Sequence, residues 1–78
     1  MMQLVIKSSG HMDLVLTNID RETTIDTVKQ TLATIKNISA QIIQLTIDEL
    51  SLHGKIGDYP DVIAGLPIYF SYNIVFDG

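Results

Sequence analysis

The stretch that decides the fold is TIDTVKQTLATIKNI, residues 24–38. Its apolar side chains recur at intervals of three and four residues, which is typical of one face of an α-helix. These positions are Ile25, Val28, Leu32 and Ile35. We therefore predict one amphipathic helix over about residues 24–36, with this face turned towards a core.

Capping residues stand at both ends of the predicted helix. Thr23 or Thr24 can accept a hydrogen bond from the unpaired N–H groups of the first turn, and Asp26 suits the positive end of the helix dipole. At the other end, Asn37 is suited to the left-handed conformation that closes many helices, and Ile38 can pack back on the last turn. The helix is therefore predicted to end at about residue 36.

Before the helix, apolar and polar residues alternate in 2–7 and again from residue 14. Alternation with a period of two predicts half-buried strands, and a loop of about five residues between them predicts a hairpin. The alternation is interrupted at Thr17 and Asn18. One extra residue there is a β-bulge, which turns Ile19 inward together with Leu16.

After the helix, residues 42–47 predict a third strand, and residues 50–52 a short fourth one. Residues 68–76 alternate again and predict a long last strand, for which Pro67 is a suitable start because proline cannot donate to the sheet. We expect this strand to return beside the first strand, in a mixed sheet covered by the helix. Fifteen residues are expected to be mostly buried: Met2, Leu4, Ile6, Leu14, Leu16, Ile25, Val28, Leu32, Ile38, Leu45, Ile47, Leu52, Tyr59, Ile68 and Phe70.

Charge and composition narrow the kinds of partner and site that this chain can have. The net charge is −4 and the five basic residues are scattered, which argues against nucleic acid as a partner. The longest apolar run, residues 62–76, is interrupted by polar residues, glycine and proline, which argues against a membrane span. Without cysteine, neither a disulfide nor a thiolate metal site is available. We expect no cofactor and an intracellular location, cytoplasmic or nuclear.

Two segments are the most informative about family. TIDTVK at residues 24–29 is similar to T-I-E-N-V-K, and MQLVIK at residues 2–7 to M-Q-I-F-V-K, of ubiquitin-like domains. Further matches are Asn37-Ile38, Leu45, Ile47 and Asp58-Tyr59. The chain thus resembles the ubiquitin-like family over almost its whole length. The resemblance implies an α+β, ubiquitin-like β-grasp fold for one domain, residues 1–78, with a mixed four- to five-stranded sheet packed against one main helix.

Departures from the family bear on function. The resemblance places Ser9, Thr46 and Ser71 where ubiquitin has its main receptor-binding patch of three aliphatic side chains. A fully buried aliphatic contact contributes about 1.5–3 kcal/mol, so we expect receptors that need this patch not to bind. Conjugated members end in a flexible tail closing in Gly-Gly, whereas this sequence ends in residues 75–78, VFDG. We therefore expect a domain that is not conjugated.

Residues with catalytic chemistry are sparse. His11 and His53 lie in different predicted loops without metal-ligand spacing, and the acidic pair Asp48-Glu49 falls in a predicted turn, where the two carboxylates point to different sides. The simpler interpretation of all four is a solvated loop or turn, and we expect no enzyme activity.

Alternation in the last strand predicts that Phe70, Tyr72 and Phe76 face the core and that Tyr69 and Val75 face outward. Val5 and Val15 share the predicted outer face of the sheet. Tyrosine is frequent at the centres of protein interfaces. The sequence therefore predicts a protein-interaction module that binds a protein partner, or a second copy of this chain, through the sheet surface. The candidate residues are Val5, Val15, Tyr69 and Val75, with Ser9, Thr46 and Ser71 beside them.

An alternative function is a divergent covalent modifier or a sulfur-carrier relative. Either would act through a C-terminal glycine, which in this sequence is Gly78.

Overall fold

The structure is a computed structural model that describes residues 2–72. Its strands are β1 (Met2–Ser8), β2 (Leu14–Ile19), β3 (Ile43–Ile47), β4 (Leu50–Ser51) and β5 (Ile68–Tyr72). Its helices are α1 (Ile25–Lys36) and the short α2 (Pro60–Ile63), and 3₁₀ turns occupy Ala40–Ile42 and Ile56–Asp58. The described part of the chain is thus a small α+β structure with one main helix.

The five strands form one mixed sheet in the order β2-β1-β5-β3-β4. The central pair, β1 and β5, is parallel, and the other three pairs are antiparallel. The prediction that the last strand returns beside the first is confirmed. Its predicted continuation to Phe76 lies outside the described residues.

The β1–β2 hairpin has the predicted geometry. Five residues, 9–13, separate the two strands. Met2 pairs with Ile19 and Leu4 with Leu16, so β2 holds one residue more than β1 between these pairs. Asn18 has a φ of 61°, the left-handed conformation that asparagine tolerates better than most residues. The bulge is therefore confirmed, and both Leu16 and Ile19 are buried.

Helix α1 begins and ends at the residues that the predicted capping residues indicated. The Thr24 hydroxyl accepts a hydrogen bond from the Thr27 N–H at 3.1 Å. Asn37 is left-handed with a φ of 55°, and its N–H donates to the Ala33 carbonyl. The Ile38 N–H donates to the same carbonyl at 3.0 Å. Both bonds end on this one carbonyl, as is usual where a left-handed residue closes a helix.

The core lies between α1 and the inner face of the sheet. Eleven of the fifteen residues expected to be mostly buried are buried, and the other four, Met2, Leu14, Ile38 and Tyr59, are partly buried against the core. The core also includes Ile19, Ile43, Ile56 and Val62, which the expected set omits. Ile42 belongs to the 3₁₀ turn, so β3 begins one residue later than predicted.

The predicted apolar face of the helix is wrong at one residue, Ile35. Ile35 is 52% exposed. The line of four-residue steps through Val28 and Leu32 continues to Lys36, which lies over β5 with its ammonium 4.8 Å from the centre of the Phe70 ring. Successive i, i+4 side chains stack along one side of a helix, so Lys36 takes the place over the sheet and Ile35 is left at its flank.

The predicted burial of Tyr72 is also wrong, since this side chain is 49% exposed. Its ring stands edge-on to Phe70, with centroids 5.2 Å apart and planes at 83°. Phe70 is covered by Lys36 at the end of α1, whereas Tyr72 lies two residues further along β5. The inner face of the sheet therefore extends past the end of the helix that covers it.

Within residues 2–72, neither helix has the length and apolar character needed to cross a membrane.

Candidate functional site

The candidate site is the outer face of the sheet, opposite α1. Alternation sends Leu4, Ile6, Ile68 and Phe70 into the core. Their neighbours in sequence therefore point to the other side of the sheet. On β5 the outward residues are Tyr69 and Ser71.

Pairing across the strands shows which outward residues are neighbours. Val5 on β1 lies opposite Val15 on β2. Tyr69 on β5 lies between Lys7 on one side and Thr46 on the other. Neighbouring strands are about 4.8 Å apart and successive residues rise by about 3.3 Å. Val15 and Tyr69 are separated by one strand and are offset by two residues along it, so they lie about 12 Å apart.

The apolar part of this outer face is centred on three side chains, Val5, Val15 and Tyr69, which we call the sheet-face site. Val15 and Tyr69 are about half exposed, and Val5 is partly buried between its neighbours. The predicted outward orientation of Tyr69 is thus what the structure shows. The sheet-face site presents an aromatic ring and two β-branched side chains to solvent.

The hydroxyl residues lie beside this site, not on a separate surface. Thr46 is the direct partner of Tyr69, and Ser71 pairs with Gln44 on the same face. Beyond them, the Gln44 side chain donates a hydrogen bond to the Ser51 hydroxyl at 2.9 Å. The apolar side chains of the outer face therefore lie on β2, β1 and β5, whereas the outward residues of β3 and β4 are polar. Ser9 is exposed in the hairpin loop after β1, at the end of that strand.

The charge of the outer face is also uneven. Lys7 is an exposed cation directly beside Tyr69. Among the outward positions of the described strands, none is acidic. A partner that covers the sheet-face site therefore meets an apolar centre with a positive charge at its edge.

Two predicted residues lie outside the described part of the chain. Val75 was expected to share the outer face with Tyr69, and Gly78 is the residue that the alternative covalent function requires.

The two histidines belong to different loops, as predicted. His11 lines a shallow cleft beside Ser9, Phe70 and Tyr72. The backbone N–H and carbonyl of His53 both bond to the Tyr59 hydroxyl, each at 2.8 Å. Among residues 2–72, no group of three or more potential metal ligands comes together.

Away from the sheet-face site, one ion pair joins the entry of α1 to the loop after β4. Lys55 Nζ lies 2.9 Å from Glu22 Oε2. The hydrogen bond to this carboxylate, followed by its charge, raises the pKa of Lys55. Both side chains are largely exposed, so the ion pair is screened by solvent and contributes little to stability.

Asp48 and Glu49 form the turn between β3 and β4, with positive φ angles of 50° and 68°. They connect the paired residues Ile47 and Leu50, so the loop holds two residues. This is the geometry of a type I′ hairpin turn. The prediction of a turn is confirmed.

Comparison with known proteins adds no identification: the chain matches neither a protein-family model nor any curated protein sequence.

Proposed function

We propose that this chain is a ubiquitin-like protein-interaction module that binds a partner protein through the sheet-face site and does not act as an enzyme. The observation that carries the proposal is the position of Tyr69, half exposed on the central strand of the sheet and on the same outer face as Val5 and Val15. A rigid aromatic ring loses little conformational freedom on binding, which is one reason why tyrosine is frequent at interface centres.

The ubiquitin-like part of the proposal is supported by the order of the elements. A hairpin, a helix across one face, and a last strand parallel to the first are compatible with a β-grasp fold. The left-handed residue that ends α1, Asn37, lies where the resemblance places the helix exit of the family. Within residues 2–72, no helix covers the outer face of the sheet.

The chemistry of the site indicates the kind of partner. An apolar centre requires an apolar surface on the partner, and Lys7 beside it favours an acidic group there. If two copies of this chain paired symmetrically through the sheet-face site, the Lys7 side chains of both copies would face one interface. The outward positions of the described strands offer no acidic side chain to neutralise them. The charge pattern therefore favours a different protein as the partner over a second copy.

Two tyrosines of β5 offer a matched pair of variants. Tyr69 and Tyr72 are 51% and 49% exposed and point to opposite faces of the sheet. We expect Tyr69→Ala to weaken partner binding by about 2 kcal/mol, or about 30-fold in Kd. Tyr72→Ala should leave Kd within about threefold of the original protein.

The measurement is a titration of the isolated partner by calorimetry or fluorescence anisotropy. The partner is first isolated as the protein that is retained both by the immobilised full chain and by the immobilised Tyr72→Ala variant. Urea denaturation of each variant separates lost binding from lost folding, since truncating a half-exposed cross-strand residue costs about 1 kcal/mol or less. Equal loss of binding in the two variants would contradict the proposal. Concentration-dependent sedimentation that disappears only in Tyr69→Ala would identify a second copy as the occupant.

A further inference from the structure

A small recess lies at the edge of the sheet opposite β2, where the β3–β4 hairpin meets the start of α2. Its volume is about 90 Å³. Ile47 and Leu52, both buried, contribute to its lining, and Leu50 and Tyr59 stand at its sides. We call this recess the hairpin notch. It is separate from the sheet-face site, because Tyr69 points to the outer face and Ile47 to the inner face.

Leu50 is the most unusual residue of the hairpin notch. It is 70% exposed, although it follows a tight turn and pairs with the buried Ile47. A single exposed leucine is ordinary on a protein surface. Here, however, the leucine lies beside a concave apolar surface, so that one more aliphatic side chain could be enclosed between it and the recess.

Carboxylates line the same recess. Asp48 from the turn and Asp61 from α2 are both among its lining residues, and none of the lining residues is basic. The neighbouring Glu49 adds a third carboxylate at the tip of the turn. Lys55, in the loop that follows β4, does not line the recess and is paired with Glu22. An occupant with positive charges beside an apolar group is therefore complementary to the hairpin notch.

The volume limits the apolar group. A cavity of about 150 Å³ can hold a benzene molecule, so the smaller hairpin notch, at about 90 Å³, is suited to one aliphatic side chain. We propose that the hairpin notch binds a peptide segment of a partner protein that presents one leucine-sized side chain flanked by lysine or arginine. This surface differs from the sheet-face site in position and in the sign of the charge that it favours.

The test uses the full chain, labelled with ¹⁵N, and a short synthetic peptide with one leucine between lysines. Two control peptides replace the leucine by serine or the lysines by glutamates. We expect the leucine–lysine peptide to shift the amide signals of Leu50, Leu52 and Asp61 in a saturable manner, with Tyr69 unchanged. The serine and glutamate peptides should produce no saturable shift at these residues. Unchanged Tyr69 signals keep this result independent of the proposed sheet-face function.

Variants of the chain complete the test. Leu50→Ser should weaken binding of the leucine–lysine peptide by about fivefold or more. Leu66→Ser, which alters another exposed leucine outside the notch, should not. Asp61→Asn should weaken binding by about two- to fivefold at low salt, and by less at about 0.5 M salt, where charges are screened. Asp61→Asn also keeps the test decisive if Leu50→Ser fails to fold.

Two results would overturn the proposal. One is that the serine peptide binds as tightly as the leucine peptide, which would reduce the interaction to general charge attraction. The other is that the shifts are spread over the surface, or fall on Tyr69, instead of clustering around Leu50.

Discussion

The turn between β3 and β4 should be more stable with glycine at its second position. In a type I′ turn both central residues have positive φ, and Asn-Gly or Asp-Gly is the favoured pair. Here the pair is Asp48-Glu49, and Glu49 has a φ of 68°. Glutamate has a Cβ that disfavours this conformation, whereas glycine has none. We predict that Glu49→Gly stabilises the protein.

The size of the effect follows from two opposing contributions. The left-handed conformation costs a non-glycine residue about 1–2 kcal/mol. A new glycine, in turn, increases the freedom of the unfolded chain, which costs about 0.4–1 kcal/mol of stability. The difference is a net gain of about 0.5–1 kcal/mol in the free energy of unfolding. In a domain of this size, the gain corresponds to a rise in Tm of about 2–8 °C.

The assay is urea denaturation followed by circular dichroism, with Glu49→Ala as the matched control. Alanine removes the same carboxylate but keeps the Cβ, so it isolates the effect of charge from that of backbone conformation. We expect the gain in Glu49→Gly and little change in Glu49→Ala. Equal stability of the two variants, or a loss in Glu49→Gly, would refute the assignment of this turn.

Two further predictions concern the core and its edge. Leu32 is fully buried, so Leu32→Ala should lower the free energy of unfolding by about 2–4 kcal/mol. Ile35→Ala, at a half-exposed position, should lower it by about 1 kcal/mol or less. Equal losses of the two variants in urea denaturation would contradict the orientation of α1. Tyr59→Phe should cost about 1–2 kcal/mol, because the hydroxyl bonds to both the N–H and the carbonyl of His53 and its removal leaves both without that partner. Unchanged stability of Tyr59→Phe would show that solvent satisfies these groups equally well.

Features set by local sequence were predictable. Thr24 and Asn37 cap α1 as expected because each acts on backbone groups within a few residues of itself. The bulge at Asn18 could be placed because Ile19 would otherwise face the wrong side of the sheet. In both cases the physical cause lies within one short segment of chain.

Features that depend on where elements end relative to one another were not predictable. Alternation assigns Tyr72 to the inner face, but the sequence does not show that α1 ends over Phe70. Likewise, helical periodicity does not distinguish Ile35 from Lys36 as the residue above β5. Val62 and Ile56 were missed because each lies in an element of three or four residues, which is too short to show a period.

The sheet-face site was predictable only in part, because it depends both on local alternation and on how distant segments pair. The outward orientation of Tyr69 follows from alternation alone. Its position directly beside Thr46 depends on the register of β5 against β3, which pairs residues distant in sequence. The hairpin notch could not be found from the sequence, since Leu50 and Asp61 belong to different elements that meet only in the folded chain.

The most direct test of the interaction proposal is site-specific photo-cross-linking in cells that produce the protein. A photoreactive phenylalanine analogue is placed in the full chain at the position of Tyr69 or, as the control, of Tyr72, because the two side chains are equally exposed on opposite faces of the sheet. The proposal predicts a discrete cross-linked protein from position 69 alone, and predicts that excess original chain suppresses it while excess Tyr69→Ala does not. Equal cross-linking from both positions, or none from position 69, would contradict the sheet face as the binding surface.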